Sequence, residues 1–384
     1  MNQLLANLRK TYFDNVASTV NCNDVQFVIL THILDDRPEL LSAIGKLGDI
    51  SLLIGIPYSI NQATAENLKK EYKIAMPTLE QLYYCDYLVD LILTEKKQNK
   101  PLIILEIGGY FSKVLPQLHE KLGVNFLGVI EDTEAGHREY AKNSNKLPCP
   151  VISVARSELK ETEDFLVGAS CLFSTEKLLR TCGAPIEGKR ALVLGFGKIG
   201  RGMAHSLLRH HCPVSVYDTN PIKRISALSE GFQTPSKENA LREAEIIYGT
   251  TANFSIQESD FNLIKPGALL VSCSSKDIEF DLKYLEKNFK RTHLIEGLDF
   301  YQSEVTEFYL AANGKPINFL DGAVIGPILA LVQAEIILAI KQVYQLEGKK
   351  GLFETSEEIR RQLAEKWLEV FCDNKSGRYN LKIT

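Results

Sequence analysis

No excess of either charge marks this chain of 384 residues: 44 Lys and Arg stand against 48 Asp and Glu, a formal net charge of −4. Lacking a basic stripe interleaved with aromatics, it has nothing to track a phosphate backbone, and nucleic acid is not an expected partner. Uninterrupted apolar runs are also missing. The most apolar stretch, Pro327 to Val343, is broken by Gln333, Glu335 and Lys341, groups costly in lipid. It reads as a buried helix, with no membrane partner. The opening residues MNQLLANLRKTYFDN have no basic start leading into an apolar stretch and a small-residue cleavage site, so export is not expected. The eight cysteines form no C-x-x-C pair and no zinc spacing. Reduced thiols, a cytoplasmic location and no metal are therefore expected. Internal repeats and low-complexity tracts are absent as well.

What is present is apolar content of 45% with 24% charged residues, in a chain long enough for two cores. From about Asn23, short β-rich runs alternate with helical patterns: VQFVILTHI, ELLSAIGKLG, ISLLIGIPYSI, NQATAENLKKEY, PLIILEIGG. This alternation predicts parallel strands with crossover helices. The rhythm continues through VNFLGVIEDTEAGHREYAK and PVISVARS, giving one α/β unit that ends near Cys182. The segment GAPIEGK, Gly183 to Lys189, reads as a linker. A second unit follows, with strands RALVLGF, PVSVYD, EIIYGT, ALLVSCS and THLIEGL. The apolar helix around Pro327 to Leu346, the charged helix SEEIRRQLAEKWLEVF and a polar tail, DNKSGRYNLKIT, complete the chain. The fold class is α/β, with two doubly wound parallel-sheet domains and a C-terminal helical tail.

The strongest local signal is Gly195-Phe-Gly197-Lys-Ile-Gly200, between the strand RALVL and the helical run RGMAHSLLRHH. The first glycine permits a tight turn, the second lets backbone approach a pyrophosphate, and the third allows close helix–strand packing. The phosphates would rest on the helix N-terminus. Asp218, about twenty residues on, ends the next strand, where a carboxylate can accept both adenosine ribose hydroxyls and favours NAD over NADP. Taken singly, Asp218 would more commonly be a strand-end charge or a helix cap ahead of Pro221. Together, motif, spacing and strand order predict a Rossmann domain. Gly249-Thr250-Thr251-Ala252-Asn253 closes another strand, where small hydroxyl residues suit either a nicotinamide ribose or an ordinary polar loop.

GKRALVLGFGKIGRGMA, Asp218-Thr-Asn-Pro221 and GTTAN together resemble the cofactor domain of S-adenosylhomocysteine hydrolases. GVIEDTEAGHREY is similar to that family's Glu-Glu-Thr-Thr-Thr-Gly segment, and PVISVARSELKETEDFLVG to its Lys-Ser-Lys-Phe-Asp-Asn segment. EFDLKYLEK is similar to the stretch after its Gly-His-Phe-Asp motif. The resemblance implies domains at 1–182 with 322–350 for substrate, at 187–321 for NAD, and an oligomerisation tail at 351–384. Cofactor contacts are implied for Thr133, Gly195, Gly197, Lys198, Ile199, Gly200, Asp218, Asn220, Thr250, Thr251, Asn253 and Asn318. Lys375-Ser-Gly-Arg-Tyr379 resembles a family tail that reaches a neighbour's NAD, implying contacts from Lys375 and Tyr379 and a homodimer or homotetramer. A frayed terminus is the alternative.

In the family, NAD+ oxidises a ribose 3′-hydroxyl, homocysteine leaves, water adds and the ketone is reduced. By resemblance, Lys160 and Asp164 fall on the catalytic Lys and Asp, Asp132 on the ribose-binding Glu, and His32 on a His near the leaving group. Read without it, Lys160 and Asp164 suit a solvated helix ion pair, and His32 a structural role. The departures are extensive. Ile107 replaces the second Asp of Asp-Asp-Gly-Gly, Ser274-Ser275-Lys276-Asp277 replaces Gly-His-Phe-Asp, and Ala155 and Phe165 replace two asparagines. Leu34 replaces a threonine, and the loop from Asp321 to Ile328 replaces Cys-Ala-Thr-Gly-His-Pro-Ser. The implied function is NAD+-dependent hydrolysis of S-adenosylhomocysteine or a related nucleoside. A silent NAD-binding regulator and a simple dehydrogenase are the alternatives.

Overall fold

Alternating runs of β-branched residues and amphipathic stretches fold as the pattern predicts, into helices crossing over between strands. The computed structural model describes residues 3–22, 24–97, 99–274 and 278–372. The first elements are α1 (Gln3–Ala17), β1 (Gln26–Ile33), α2 (Arg37–Gly45), β2 (Asp49–Ile60), α3 (Gln62–Leu68) and β3 (Ile74–Ala75). They continue with α4 (Leu79–Tyr83), α5 (Cys85–Glu95), β4 (Leu102–Glu106), α6 (Leu115–Leu122), β5 (Phe126–Glu131), α7 (Glu134–Lys142) and β6 (Pro150–Ser153). A long helix follows, α8 (Glu158–Thr181), then β7 (Ala191–Leu194), α9 (Lys198–Arg209), β8 (Val214–Tyr217), α10 (Pro221–Ser229), α11 (Lys237–Glu243) and β9 (Ile246–Gly249). The chain goes on through β10 (Ala268–Ser272), α12 (Leu282–Asn288), β11 (Lys290–Ile295), β12 (Leu298–Gln302) and β13 (Glu307–Ala311). Last come α13 (Leu329–Gln345), β14 (Gly351–Glu354) and α14 (Glu357–Phe371).

Two compact units result, one from Met1–Lys160 with Gly326–Thr384, the other from Glu161–Ile325. The first unit has a seven-stranded sheet, ordered β14-β6-β5-β4-β1-β2-β3 and parallel throughout. Its central strands, β1, β4, β5 and β6, are buried on both faces. Phe27, Ile29 and Ile33 of β1 enter one apolar cluster, while Val28 and Leu30 enter the other, which is why these strands read as near-continuous apolar runs. Strand order reverses between β1 and β4, the position where ligands gather at the carboxyl ends of an open α/β sheet.

The second sheet runs β11-β12-β13-β10-β9-β7-β8, with its order reversing at β7 and β9. β8, β7, β9, β10 and β13 are parallel, whereas β11 and β12 are antiparallel additions at one edge. THLIEGL, read as one strand, is the corner of a hairpin. Gly297, at φ +80°, turns the chain between β11 and β12, a conformation glycine adopts without a Cβ clash.

The division also differs from the expected one. α8 is one continuous helix of 24 residues, and Cys171, Leu172 and Leu178 pack into the core beneath β7 and α9. The break therefore falls at Lys160, upstream of the Gly-Pro segment at 183–189. Residues 351–372 join the first unit: β14 extends its sheet beside β6, and Leu363, Trp367 and Phe371 of α14 enter its core. All eight cysteines are free thiols.

Candidate functional site

In the second unit, β7 ends in the glycine turn. Gly195 has φ +98°, and a Cβ at Gly200 would lie 2.0 Å from the Gly195 carbonyl oxygen, so both positions exclude a side chain. At Gly197 a Cβ would meet nothing within 4 Å. Open space at this position is what an approaching dinucleotide needs. α9 starts at Lys198 with no side-chain cap at Gly197, which leaves its first N–H groups to an anionic ligand. Lys198 and Ile199 occupy its first turn, both partly exposed.

Asp218 follows β8 and is tied to this turn. Its Oδ2 accepts from the Phe196 N–H at 2.7 Å and its Oδ1 from the Asn220 N–H at 2.8 Å. Each carboxylate oxygen keeps a further lone pair for a ribose hydroxyl. Asn220 caps α10 through the Ile222 N–H at 2.9 Å, so its side chain already has a structural task. Thr250 has one as well: its hydroxyl lies 2.9 Å from the carbonyl oxygens of Leu194 and Gly195, bracing the turn from below. The residues fit NAD because the turn is open where a pyrophosphate would lie and bolted down where it would not.

Thr251 and Asn253 sit on the next loop. The Thr251 N–H and hydroxyl donate to Glu279 at 2.7 and 2.9 Å, and the Ala252 N–H does so at 2.7 Å. Burial raises the Glu279 carboxyl above its usual range. Asn253 is exposed, its side chain accepting from the Phe254 N–H. Asn318 is buried in the short helical turn Ile317–Asp321, and its carbonyl accepts from the Ala323 N–H.

In the first unit the candidate residues gather at the carboxyl ends of the sheet. Asp132 follows β5, and Lys160 reaches it from the first turns of α8, with Nζ 3.6 Å from Oδ1. The lysine side chain is only 9% exposed and the aspartate 20%. That Oδ1 atom is buried and makes no hydrogen bond. Near the end of β1, His32 Nδ1 contacts the Ser59 hydroxyl from β2. Burial, reinforced by Arg37 and Lys160, pushes its imidazolium well below the usual range, so the ring is neutral at pH 7. Thr133 is committed locally: it caps α7 and donates to Glu131 at 2.7 Å. Asp164 lies in α8 on the other side of the unit division, at 161–325. Lys375 and Tyr379 lie outside the described residues, as do Ser275, Lys276 and Asp277.

Several residues escape sequence reasoning. Ser59 orients His32, Glu279 holds the loop after β9, and two buried glutamates, Glu106 and Glu131, end β4 and β5. The sequence signal was an acidic residue closing each apolar run, in LIILE and FLGVIE. Ile107, in place of the family aspartate, is buried in the apolar cluster between β4 and α6. Among the described residues no helix is long and apolar enough to cross a membrane.

Residues 171–323 match the S-adenosyl-L-homocysteine hydrolase, NAD binding domain family. Over 311 residues the chain is 25% identical to an S-inosyl-L-homocysteine hydrolase of Methanopyrus kandleri, covering 76% of this chain and 69% of the relative. It is 28% identical over 268 residues to an adenosylhomocysteinase of Sulfurisphaera tokodaii, covering 67% and 63%. The chain thus spans about two thirds of the length of these relatives. In fold it is similar to a dipicolinate synthase of Bacillus halodurans, with a TM-score of 0.45 and 11% identity, over 84% of this chain and 99% of that one.

Proposed function

Since the chain is a divergent relative of the S-adenosylhomocysteine hydrolases, with an NAD-binding domain over residues 171–323, we propose that it is an NAD+-dependent hydrolase of that type. Its substrate is S-adenosylhomocysteine or a related nucleoside thioether. The observation that carries this reading is the Asp132 Oδ1 atom, buried, without a hydrogen bond and faced by Lys160 Nζ at 3.6 Å. A buried acceptor left unmade costs about 1–3 kcal/mol, so a ligand hydroxyl donating to it would be bound strongly.

Bound NAD+ supplies the oxidant for the ribose 3′-carbon. The chain's own groups do the rest. Gly197 and the first N–H groups of α9 hold the pyrophosphate, and Asp218 holds the adenosine ribose of the cofactor. Asp132 accepts a substrate ribose hydroxyl, and Lys160 Nζ, in its neutral amine form, takes up the proton as that hydroxyl is oxidised. His32, neutral at pH 7 and oriented by Ser59, accepts or returns a proton on the leaving-group side. Asp164 shares the acid/base work with Lys160. Lys375 and Tyr379 clamp the cofactor of a second copy in a homodimer or homotetramer. The chain works in the cytoplasm.

The test is the absorbance of NAD+-loaded protein after adding S-adenosylhomocysteine, S-inosylhomocysteine or adenosine. A reduced-nicotinamide band with thiol released from a thioether is the expected result, and Lys160→Ala abolishes it. No band with any of the three ligands overturns the reading. In that event a silent NAD-binding regulator is favoured by Ile107, an apolar side chain buried where a proton-handling aspartate stands in the family.

A further inference from the structure

Glu106 and Glu131 take no part in the proposed chemistry. They are register partners on adjacent parallel strands, with backbones about 4.8 Å apart, and their exposure is 2% and 0%. Both grip one turn, Ile107–Phe111. Glu131 accepts from the N–H groups of Gly108 at 3.0 Å and Gly109 at 2.9 Å, while Glu106 accepts from Tyr110 at 2.7 Å and Phe111 at 3.3 Å. Glu131 takes two more donors, the Thr133 N–H at 2.6 Å and the Thr133 hydroxyl at 2.7 Å. The Tyr140 hydroxyl touches Glu106. Every one of these donors is uncharged.

The groups facing the pair leave its charge uncompensated. From α7 come Tyr140, His137, which is bonded to Ser153 on β6 and held neutral by burial, and Glu139, which is paired with Lys142. Beyond β5, Asp132 adds a third carboxylate, and Lys160 is directed at Asp132. With both glutamates ionised, three buried or half-buried carboxylates would face one ammonium. Desolvation makes that costly. Glu131, with four donors, is the better place for a charge. Glu106 is the better place for a proton, because the Tyr140 hydroxyl can donate to its carboxylate or accept from its acid without moving.

We propose that Glu106 and Glu131 form a proton-operated clamp: a proton held on Glu106 at neutral pH lets the pair grip the Ile107–Phe111 turn, and its loss sets two like charges side by side and loosens the turn. The turn lies at the carboxyl end of β4, where the strand order reverses, so the clamp ties the order of this end of the sheet to pH. This inference does not rest on the proposed activity. Burial raises both carboxyls, with the charge of Glu131 adding to the effect on Glu106 and that of Asp132 to the effect on Glu131, to about 8 for Glu106 and about 7 for Glu131. A folded-state value above the usual 4.5 means that the native protein binds the extra proton. The stability this contributes is complete at acid pH and is lost as pH rises toward 8.

The test uses the full chain and its single tryptophan, Trp367, which is packed in the first unit. Urea unfolding followed by Trp367 fluorescence compares wild type with Glu106→Gln from pH 5.5 to 8.5. The ratio of their unfolding constants should rise about tenfold per pH unit, then level off above 8. A ratio independent of pH overturns the clamp. Should Glu106→Gln not fold, amide hydrogen exchange on the wild type decides. Protection factors at Gly109, Tyr110 and Phe111 should fall between pH 6.5 and 8.5 by at least tenfold more than that of Val129 in β5. Unchanged protection at the turn overturns the proposal.

Discussion

Two glycines three residues apart answer to different constraints. A methyl group at Gly200 would lie 2.0 Å from a carbonyl oxygen and 2.6 Å from the Thr250 hydroxyl, whereas one at Gly197 would meet open space. Gly200→Ala is therefore expected to cost about 1–3 kcal/mol through overpacking and to lose the dinucleotide. Gly197→Ala is expected to leave stability within about 0.5 kcal/mol, as an uncrowded exposed position does, yet to lose the dinucleotide too. Thermal unfolding, with the nucleotide absorbance of purified protein, separates the two outcomes. If Gly197→Ala retains NAD, the pyrophosphate does not approach there. His32 provides a pH test at the same scale. Its folded-state value lies well below 6.5, so the unfolded chain binds the proton first, and stability is lost as pH falls below about 6.5. His32→Gln should remove that acid-side loss, which amounts to about a tenfold change in the folding constant per pH unit in urea titrations.

Helices α8 and α9 show how an element can carry a cost for a packing gain. A glycine inside a helix is about 1 kcal/mol less favourable than alanine, yet Gly168 stands in α8 and Gly202 in α9. The structure gives the reason. A Cβ at Gly168 would sit 2.4 Å from the Met203 nitrogen, and one at Gly202 would sit 2.2 Å from the Phe165 carbonyl oxygen. Each helix lies against the other's backbone at its glycine. Gly202→Ala is therefore expected to destabilise the second unit, by about 1–3 kcal/mol, although alanine is the better helix former. A gain in stability on calorimetry would mean that the contact is loose. The sequence showed Gly202 only as part of GKIGRGMA, and periodicity could not reveal a helix–helix contact between residues 34 apart.

At the scale of the molecule, the C-terminal segment belongs to the first unit's fold. Trp367 donates its Nε1–H to the Pro327 carbonyl at 3.0 Å and stacks on Phe371 with ring centroids 5.0 Å apart. The Tyr12 hydroxyl, from α1, donates to the Leu363 carbonyl at 2.9 Å. Chain ends far apart in sequence thus close one core. Trp367→Ala is expected to cost about 3–5 kcal/mol, read from far-ultraviolet circular dichroism in urea. Removing residues 373–384 should leave the midpoint of Trp367 fluorescence unchanged, because α14 ends at Phe371. If the tail clamps a neighbour's cofactor, the same deletion should release NAD on dialysis, and full retention would count against that role.

Local structure was legible in the residues alone. The glycine turn, the strand ending in Asp218 and the α/β alternation follow from short-range rules, because turn geometry, strand burial on both faces and helix starts are set within a few residues. The unit boundary within α8, the hairpin edge at β11 and β12 and the recruitment of β14 depend on which surfaces meet, and no window of sequence contains both partners. Glu106 and Glu131 make the same point. Each looked like a polar residue ending a strand, and only the parallel register of β4 and β5 made them neighbours, since burial and mutual repulsion arise from pairing across 25 residues of chain.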